Sequence, residues 1–456
     1  MNMDPLILQS ALFFLTMAPV LLLVALASLM IIPLRLPEPW IAFLVKTGVI
    51  LPLISLAAIG LELILAGKPQ ITYAPFEMFT LGKFQFEISY FIDIKGISFT
   101  LLALSLAYTI AFFAQRYMHR EPGYLRFFTL YSLFVAGMTM VTLAGTVETL
   151  FIGWEMVGLS SALLVAFFQE RIMPTRNAFH LWLVYRVSDA ALFLGMFFLH
   201  EAIGEVFFQT LLEQGRGAVG DEHKSATLFV AGLMIVVSVM AKSALIPFCG
   251  WLPRAMDGPT PSSAIFYGAI SIHMGAFLLI RMAPLIELFP SLCWMIVLLG
   301  LATSVLSTII EKAQCDMKSI LAFSTLTQVG IIIAEIGMGW EKIAMIHIIG
   351  HAILRAYQFL HAPSSFQEYK SLQESLGSYS INQGSIQEIP LPFWNNQSLY
   401  RVGFFRGGMD EFMNDWLLQP FLELCRLFQS LEEILFCSNN TGPNKAPVPP
   451  QGGSHG

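Results

Sequence analysis

Stretches of about twenty apolar residues, separated by short polar connections, recur from Leu12 to Leu360 and then stop. A hydrocarbon core about 30 Å thick takes roughly 20 residues of helix to cross. Windows of that length predict about eleven spans, at 11–34, 41–66, 94–115, 125–145, 149–169, 177–200, 226–248, 261–282, 285–309, 318–338 and 343–361. Segment 68–93 has a different period, alternating polar and apolar residues around Leu81-Gly82, and predicts a β-hairpin outside the bilayer. The linker 201–225 is acidic and contains glycine, and reads as a plain loop. Beyond His361-Ala362-Pro363 the chain turns polar and rich in Ser and Gln to about Gln397. An amphipathic stretch follows at 409–435, where Met409, Phe412, Met413, Trp416, Leu417, Phe421, Leu424, Leu427, Phe428 and Leu431 recur at helical spacing. It predicts a helix lying on the membrane surface or against a partner. The final PNKAPVPPQGGSHG has the composition of a disordered end.

The fold class is therefore all-α, a polytopic membrane helix bundle. Its expected regions are the first helices with their hairpin (1–116), a first bundle (117–283), a partial second bundle (284–362) and a polar tail (363–456). Composition agrees: 56% of residues are hydrophobic and 12% charged, with a mean hydropathy of +0.68, whereas soluble domains carry about a quarter charged residues. The formal charge of −6 is thinly spread, and no basic run suggests nucleic acid. The first apolar run has neither a basic start nor a small-residue cleavage site, so it reads as a retained helix. Arg35, Arg116, Arg120, Arg171, Arg176, Arg254 and Lys312 fall on one side, and Lys68, Lys83, Arg216 and Lys224 on the other among acidic residues. The positive-inside rule then places the N-terminus outside and the tail in the cytoplasm. Cys249, Cys293, Cys315, Cys425 and Cys437 form no CxxC pair, so neither a disulfide framework nor a metal site is expected, only buried thiols.

Charge inside the spans changes the picture most. A charged side chain at the bilayer centre costs about 2.5–3.5 kcal/mol on insertion scales, so each needs a partner, a wet cavity or a function. In the fifth span Glu155 follows Glu148 by seven residues, which puts it on the same face and about 10 Å deeper. In the sixth, Arg186 and Asp189 share a face and can neutralise each other as a packing ion pair or serve a path. The seventh carries Lys242, followed by Pro247, Gly250 and Pro253. A helix broken in this way is tolerated at membrane depth only where it faces protein or a cavity. A lysine beside such a break is suited to taking up and releasing a proton. The eleventh span sets His347, His351 and Arg355 at successive i, i+4 positions, a single titratable stripe. HxxxH on a helix also fits zinc, but no third ligand lies nearby in sequence. Tyr267, His273 and Lys318 are candidates to extend the line.

GWEMVGLSSALLVAFF, YRVSDAALFLG, KSALIPFCGWLPRAMDGPTPSSA and DMKSILAFSTLTQVG occur in this order. Over about residues 90–362 the chain resembles the proton-conducting antiporter family that includes the complex I subunit NuoL and the Mrp subunit MrpA. The resemblance implies a central proton-handling pair at Glu155 and Lys242, a charge pair at Arg186 and Asp189, and a relay helix at His347, His351 and Arg355. It also implies an inverted pair of five-helix bundles, each with one broken helix. Here the second broken helix would lie beyond Leu360, so a truncated inverted repeat with one broken helix is expected. Tyr267 stands where NuoL-type chains have histidine, and His273 follows six residues on. Arg355 replaces a lysine, and arginine stays protonated, so it is expected to shape the field rather than carry protons.

Within that family, GPTPSSAIFYGAISIHMGAFLLIR and GHAILRAYQFLHAPSS are most similar to the DabB-type membrane subunits of inorganic-carbon pumps. This resemblance implies a DabA-like zinc protein as hetero-oligomeric partner, with zinc in the partner and no cofactor in this chain. It implies a place in the cell inner membrane, and proton entry coupled to uptake of bicarbonate or CO2. The chain itself would be a transporter subunit, not an enzyme, and YRVGFFRGGMDEFMNDWLLQPFLELCRLF would dock the partner. The alternative is a NuoL- or MrpA-type subunit of a respiratory NADH-quinone oxidoreductase or cation/proton antiporter. A third reading is a membrane anchor that conducts nothing.

Overall fold

In hydrocarbon every backbone amide must bond within its own element, so apolar spans become helices. The computed structural model describes residues 5–32, 36–81, 84–362 and 396–432. Among them, eleven helical segments are long and apolar enough to cross a membrane, as the hydrophobic pattern predicts. In chain order the elements are α1 (Pro5–Ile31), α2 (Glu38–Ala66), β1 (Gln70–Leu81), β2 (Phe84–Asp93), α3 (Ile94–Tyr117), α4 (Tyr124–Leu143), α5 (Val147–Val165) and α6 (Ile172–Ile203). They continue with α7 (Leu211–Val219), α8 (Glu222–Lys242), α9 (Trp251–Arg254), α10 (Thr260–Ser262), α11 (Met274–Ile286), α12 (Pro290–Glu311), α13 (Met317–Gly337) and α14 (Glu341–His361). The eighth span, Thr260–Ile286, joins α10 to α11 through a π-helical stretch at Ser263–Ala269 and a 3-10 turn at Ser271–His273. Beyond α14, α15 (Asn396–Phe404) precedes α16 (Met409–Met413).

Helix starts follow their capping residues. Asp93, Thr146, Asp221 and Asp316 each accept a hydrogen bond from a first-turn backbone N–H of α3, α5, α8 and α13, satisfying donors the helix leaves free. The hairpin is antiparallel, pairing Gln70 with Asp93 and Leu81 with Phe84, as its alternation predicts. Its foot joins the bundle: Tyr90 and Ile92 pack with Leu12, Leu15, Leu56, Ile59 and Leu143 in one apolar cluster. Helix contacts rely on small residues, which let backbones approach closely in a membrane. Between α12 and α13, a methyl at Gly300 would lie 2.5 Å from the Gly330 carbonyl oxygen, and one at Gly330 equally close to that of Gly300.

Three expectations are corrected. The linker 201–225 is not a plain loop. It holds α7, whose Leu211, Gly215 and Ala218 are buried at helical spacing with Gly215 beside Leu285 and Leu288, and it supplies the first turn of α8. Its glycines suggested a loop, but burial against α11 outweighs their low propensity. The apolar run predicts a seventh span over 226–248, yet α8 ends at Lys242 itself, with Ala244 at φ +54° just beyond. The cysteines are not uniformly buried: Cys249 is buried, Cys293 intermediate, and Cys315 and Cys425 are exposed, all four as free thiols. Cys315 lies in a connection and Cys425 on the open side of a tail helix. Cys437, the Ser/Gln-rich stretch to 395 and the Pro/Gly-rich end lie outside the described residues.

The chain up to Asp410 is one compact unit and Glu411 onward a second. The second unit, as far as described, is a helical run ending in α17 (Gln419–Glu432). Phe412 and Trp416 stack at 6.1 Å in it, and Leu424, Leu427, Phe428 and Leu431 are exposed.

Candidate functional site

Lys242 is the last residue of α8, and its side chain is wholly buried. Its ammonium donates to the Trp154 carbonyl at 3.2 Å and lies over the rings of Tyr185 (4.1 Å) and Trp154 (5.0 Å). Gly158 leaves room for it, since a methyl there would sit 2.8 Å from Nζ. Trp154 is itself fixed: its Nε1–H donates to Ser188 Oγ, which donates to the Ser238 carbonyl.

The carboxylate that ion-pairs with this lysine is that of Asp189, at 3.9 Å and 5% exposed. Arg186 then forks, with Nη2 at 2.7 Å from both Asp189 and Glu155, and Nη1 reaching Glu155 at 3.4 Å. Glu155 and Arg186 are each about a third exposed, at 32% and 34%. The four groups therefore form a line of alternating sign, from partly exposed Glu155 through Arg186 and Asp189 to buried Lys242. Two charges about 4 Å apart interact by about 4 kcal/mol at an effective dielectric near 20. A proton gained or lost at one member is therefore felt by the next. The sequence reading paired Glu155 with Lys242; the structure inserts Arg186 and Asp189 between them. The spacing of Arg186 and Asp189 revealed their shared face, but not that Asp189 also faces α8.

A second line runs through the eleventh span. His273 Nδ1 lies 2.6 Å from the Ala269 carbonyl, an acceptor, so Nδ1 carries the proton. His273 Nε2 is then an acceptor, 2.9 Å from His351 Nδ1, which donates. His351 Nε2 in turn accepts from Arg355 Nε–H at 3.1 Å. The tautomers follow from these partners. Arg355 also holds Gln358 (2.7 Å) and Ser324 (2.5 Å), so it anchors the end of the line. His347, one turn from His351, turns elsewhere: Nδ1 meets Glu335 at 3.1 Å and Nε2 meets Gln328 at 3.1 Å. The stripe seen in sequence is thus two separate hydrogen-bonded groups.

The lines approach where irregular backbone meets irregular backbone. Ser243, just after Lys242, donates to the Ile272 carbonyl beside His273 at 2.7 Å. Nearby polar groups include the hydroxyls of Tyr185, Ser263 and Ser271, all buried without a hydrogen bond from the described residues. Two sequence candidates stand apart. Tyr267 donates to the Ser161 carbonyl (2.9 Å) with its ring against Trp251, and Lys318 donates to the Met256 carbonyl (3.4 Å).

The sequence reading did not name Glu335 and Gln328, the partners of His347, nor the ion pairs of His200 with Glu148 (2.7 Å) and of buried Arg281 with Asp93 (2.9 Å). Glu335 and Arg281 were legible as single charges inside apolar runs. Among the described residues no three His, Cys, Asp or Glu side chains gather as metal ligands.

Residues 144–380 match the model of the transmembrane family of NADH:quinone oxidoreductase and Mrp antiporter proteins, and residues 78–128 that of the complex I chain 5 N-terminus. The chain is 30% identical over 363 residues to chloroplastic NAD(P)H-quinone oxidoreductase subunit 5 of Capsella bursa-pastoris, covering 78% of this chain and 48% of that one. It is 33% identical over 272 residues to NADH-ubiquinone oxidoreductase chain 5 of Podospora anserina, covering 60% of this chain and 41% of the other. It thus spans less than half the length of these relatives. Among solved structures, a chain of the Mrp complex from Dietzia superposes with a TM-score of 0.61 at 24% identity, over 78% of this chain and 36% of that one. A chain of the membrane-bound sulfane sulfur reductase, an archaeal respiratory complex, gives 0.63 at 19%, over 76% and 55%. At such identities these two likenesses establish the fold alone.

Proposed function

Because the chain belongs to the transmembrane family of NADH:quinone oxidoreductase and Mrp antiporter proteins, we propose that it is a proton-conducting subunit of a larger membrane complex. The observation that carries this reading is the alternating line of Glu155, Arg186, Asp189 and Lys242 ending at a helix break. In the proposed mechanism a change of charge at the partly exposed end, where Glu155 and Arg186 sit, shifts the balance of the line. Lys242 then passes its proton to His273 Nε2, by way of the Tyr185 and Ser271 hydroxyls, once that nitrogen has released its hydrogen bond from His351. Arg355 holds His351 in place and Lys318 sets the field at the far end of the break. Each charge moved down a potential supplies about 2.3 kcal/mol per 100 mV. The chemistry driven by, or driving, that movement belongs to partner chains.

A respiratory or Mrp-type assembly is the setting the relatives favour. The second setting is an inorganic-carbon pump with a DabA-like zinc partner, the tail docking it, the N-terminus outside and the cell inner membrane as its place. Its support is the sequence around Tyr267, His273 and Arg355 and the tail stretch. Purifying the native complex and identifying its chains and metals separates the two: a large zinc-bearing partner supports the carbon pump, and complex I or Mrp subunits exclude it. Conduction itself is tested by reconstituting the complex into vesicles with a trapped pH dye. Lys242→Ala should abolish dye response to an imposed potential, and unchanged flux in an intact complex would end the proposal.

A further inference from the structure

Away from the charged lines, a second cluster sits at the Arg254 end of the break. Asp410 accepts from Arg254 at 3.1 Å and from Arg406 at 3.1 Å, and Arg406 also lies over the Phe323 ring of α13 at 5.8 Å. The segment bearing Arg406 and Asp410 is seated on the bundle through α15, where a methyl at Gly403 would lie 2.8 Å from Ala313 and 3.0 Å from the Ile309 carbonyl. The other Asp410 oxygen, Oδ1, is buried and has no hydrogen-bond partner. It occupies the space a side chain at Gly250 would need, because a methyl there would overlap the carboxylate. Gly250 joins the 3-10 turn after Pro247 to α9, so a carboxylate from outside the spans is inserted against the broken stretch itself. A carboxylate oxygen taken out of water is costly; here two arginines hold the partly exposed oxygen while glycine makes room for the buried one.

We propose that Asp410 is a positioning residue that closes this end of the break, clasping Arg254 and filling the notch at Gly250. Its consequence for proton movement rests on the function proposed above: with the clasp in place the far end of the break is shut, and a partner that engages the adjoining tail can open it. The clasp itself is testable without transport. Cys249 precedes Gly250 and is 1% exposed, so its alkylation by a membrane-impermeant maleimide reports opening of this stretch.

The full-length protein, in membranes open on both sides, is treated with the reagent and the modified cysteines are quantified by peptide mass spectrometry. Asp410→Ala removes the clasp from the tail side, and Gly250→Ala evicts the same carboxylate from the helix side. Both are expected to speed Cys249 alkylation by about tenfold or more, the signature of local opening, with Cys293 in α12 unaffected. Asp410→Glu, which keeps the charge, should recover part of the protection in the presence of Gly250. Equal Cys249 rates in native protein and both variants overturn the clasp, and so does a parallel rise at Cys293, which would mean general loosening. Vesicle flux is read on the same samples. Opening at Cys249 in a complex whose native form carries no protons would leave the clasp standing and remove only the conducting function.

Discussion

The charged line makes a graded prediction: Asp189→Asn should damage conduction far more than Glu155→Gln. Asparagine keeps the shape of Asp189 but withdraws the negative charge from between Arg186 (2.7 Å) and Lys242 (3.9 Å). At 3.9 Å and an effective dielectric near 20, the lost attraction to Lys242 is about 4 kcal/mol. That agrees with the roughly 3–5 kcal/mol lost when one member of a buried pair is removed, and both Asp189 and Lys242 are buried. Taking about 3 kcal/mol as the cost to the proton-loaded lysine, and 1.4 kcal/mol per factor of ten, flux should fall by about a hundredfold. Among the described residues Glu155 ion-pairs with Arg186, and both are about a third exposed. Solvent reduces such pairs to roughly 0–1 kcal/mol, so Glu155→Gln should lower flux by no more than about fivefold. The assay is proton entry into vesicles of equal protein content under a fixed potassium-diffusion potential, with assembly checked by size exclusion. If Glu155→Gln matches or exceeds Asp189→Asn, the sequence-derived pair of Glu155 and Lys242 is the true centre and the geometric argument fails.

Gly158→Ala should act like a mild Lys242 variant, because its methyl would meet Nζ at 2.8 Å; flux should fall while assembly is retained, and normal flux would show that Lys242 does not depend on this seat. Gly300→Ala should separate α12 from α13 and cost about 1–3 kcal/mol, the usual range for overpacking, seen as a lower melting temperature in detergent without a change in flux per folded molecule. His351→Asn should break the link from Arg355 to His273 and slow conduction, whereas His347→Asn, which touches Glu335 and Gln328 instead, should leave it closer to native. Equal losses in the two would mean that the stripe acts as one unit.

The spans were legible because hydropathy has one period and one length scale in a bilayer, and all eleven reappear within several residues. The hairpin was legible for the complementary reason, a period of two where the others run at 3.6. What escaped the sequence were contacts across large separations. Asp189 and Lys242 are in different helices, as are His273 and His351, and no local pattern says which face meets which. The exact end of α8 escaped too, because Pro247 marks a break in sequence while Ala244 makes the turn, in a left-handed conformation that only the surrounding fold enforces. Asp410 lies in a stretch with an amphipathic pattern, where an acid beside Glu411 and Asp415 reads as part of a solvated face.

The same irregularity explains why site and break coincide. Irregular backbone at membrane depth survives only where protein covers it and other groups satisfy it. Here Ser263–Ala269 and Ser271–His273 are buried throughout. Around the break and these stretches, carbonyls are met by side chains: Trp251 donates to Ala241, Ser243 to Ile272, and His273 to Ala269. Two of these donors adjoin or belong to the candidate path, and Trp251 packs edge-on against Tyr185, whose ring carries Lys242. Polar side chains that a regular helix would have had no need to bury are thus drawn into the centre of the bundle by the backbone's own demand for donors. Once there, Ser243, the residue after the lysine, is tied to the carbonyl before His273. The break therefore brings with it the groups a proton path requires, and neither could be relocated along the chain without moving the other.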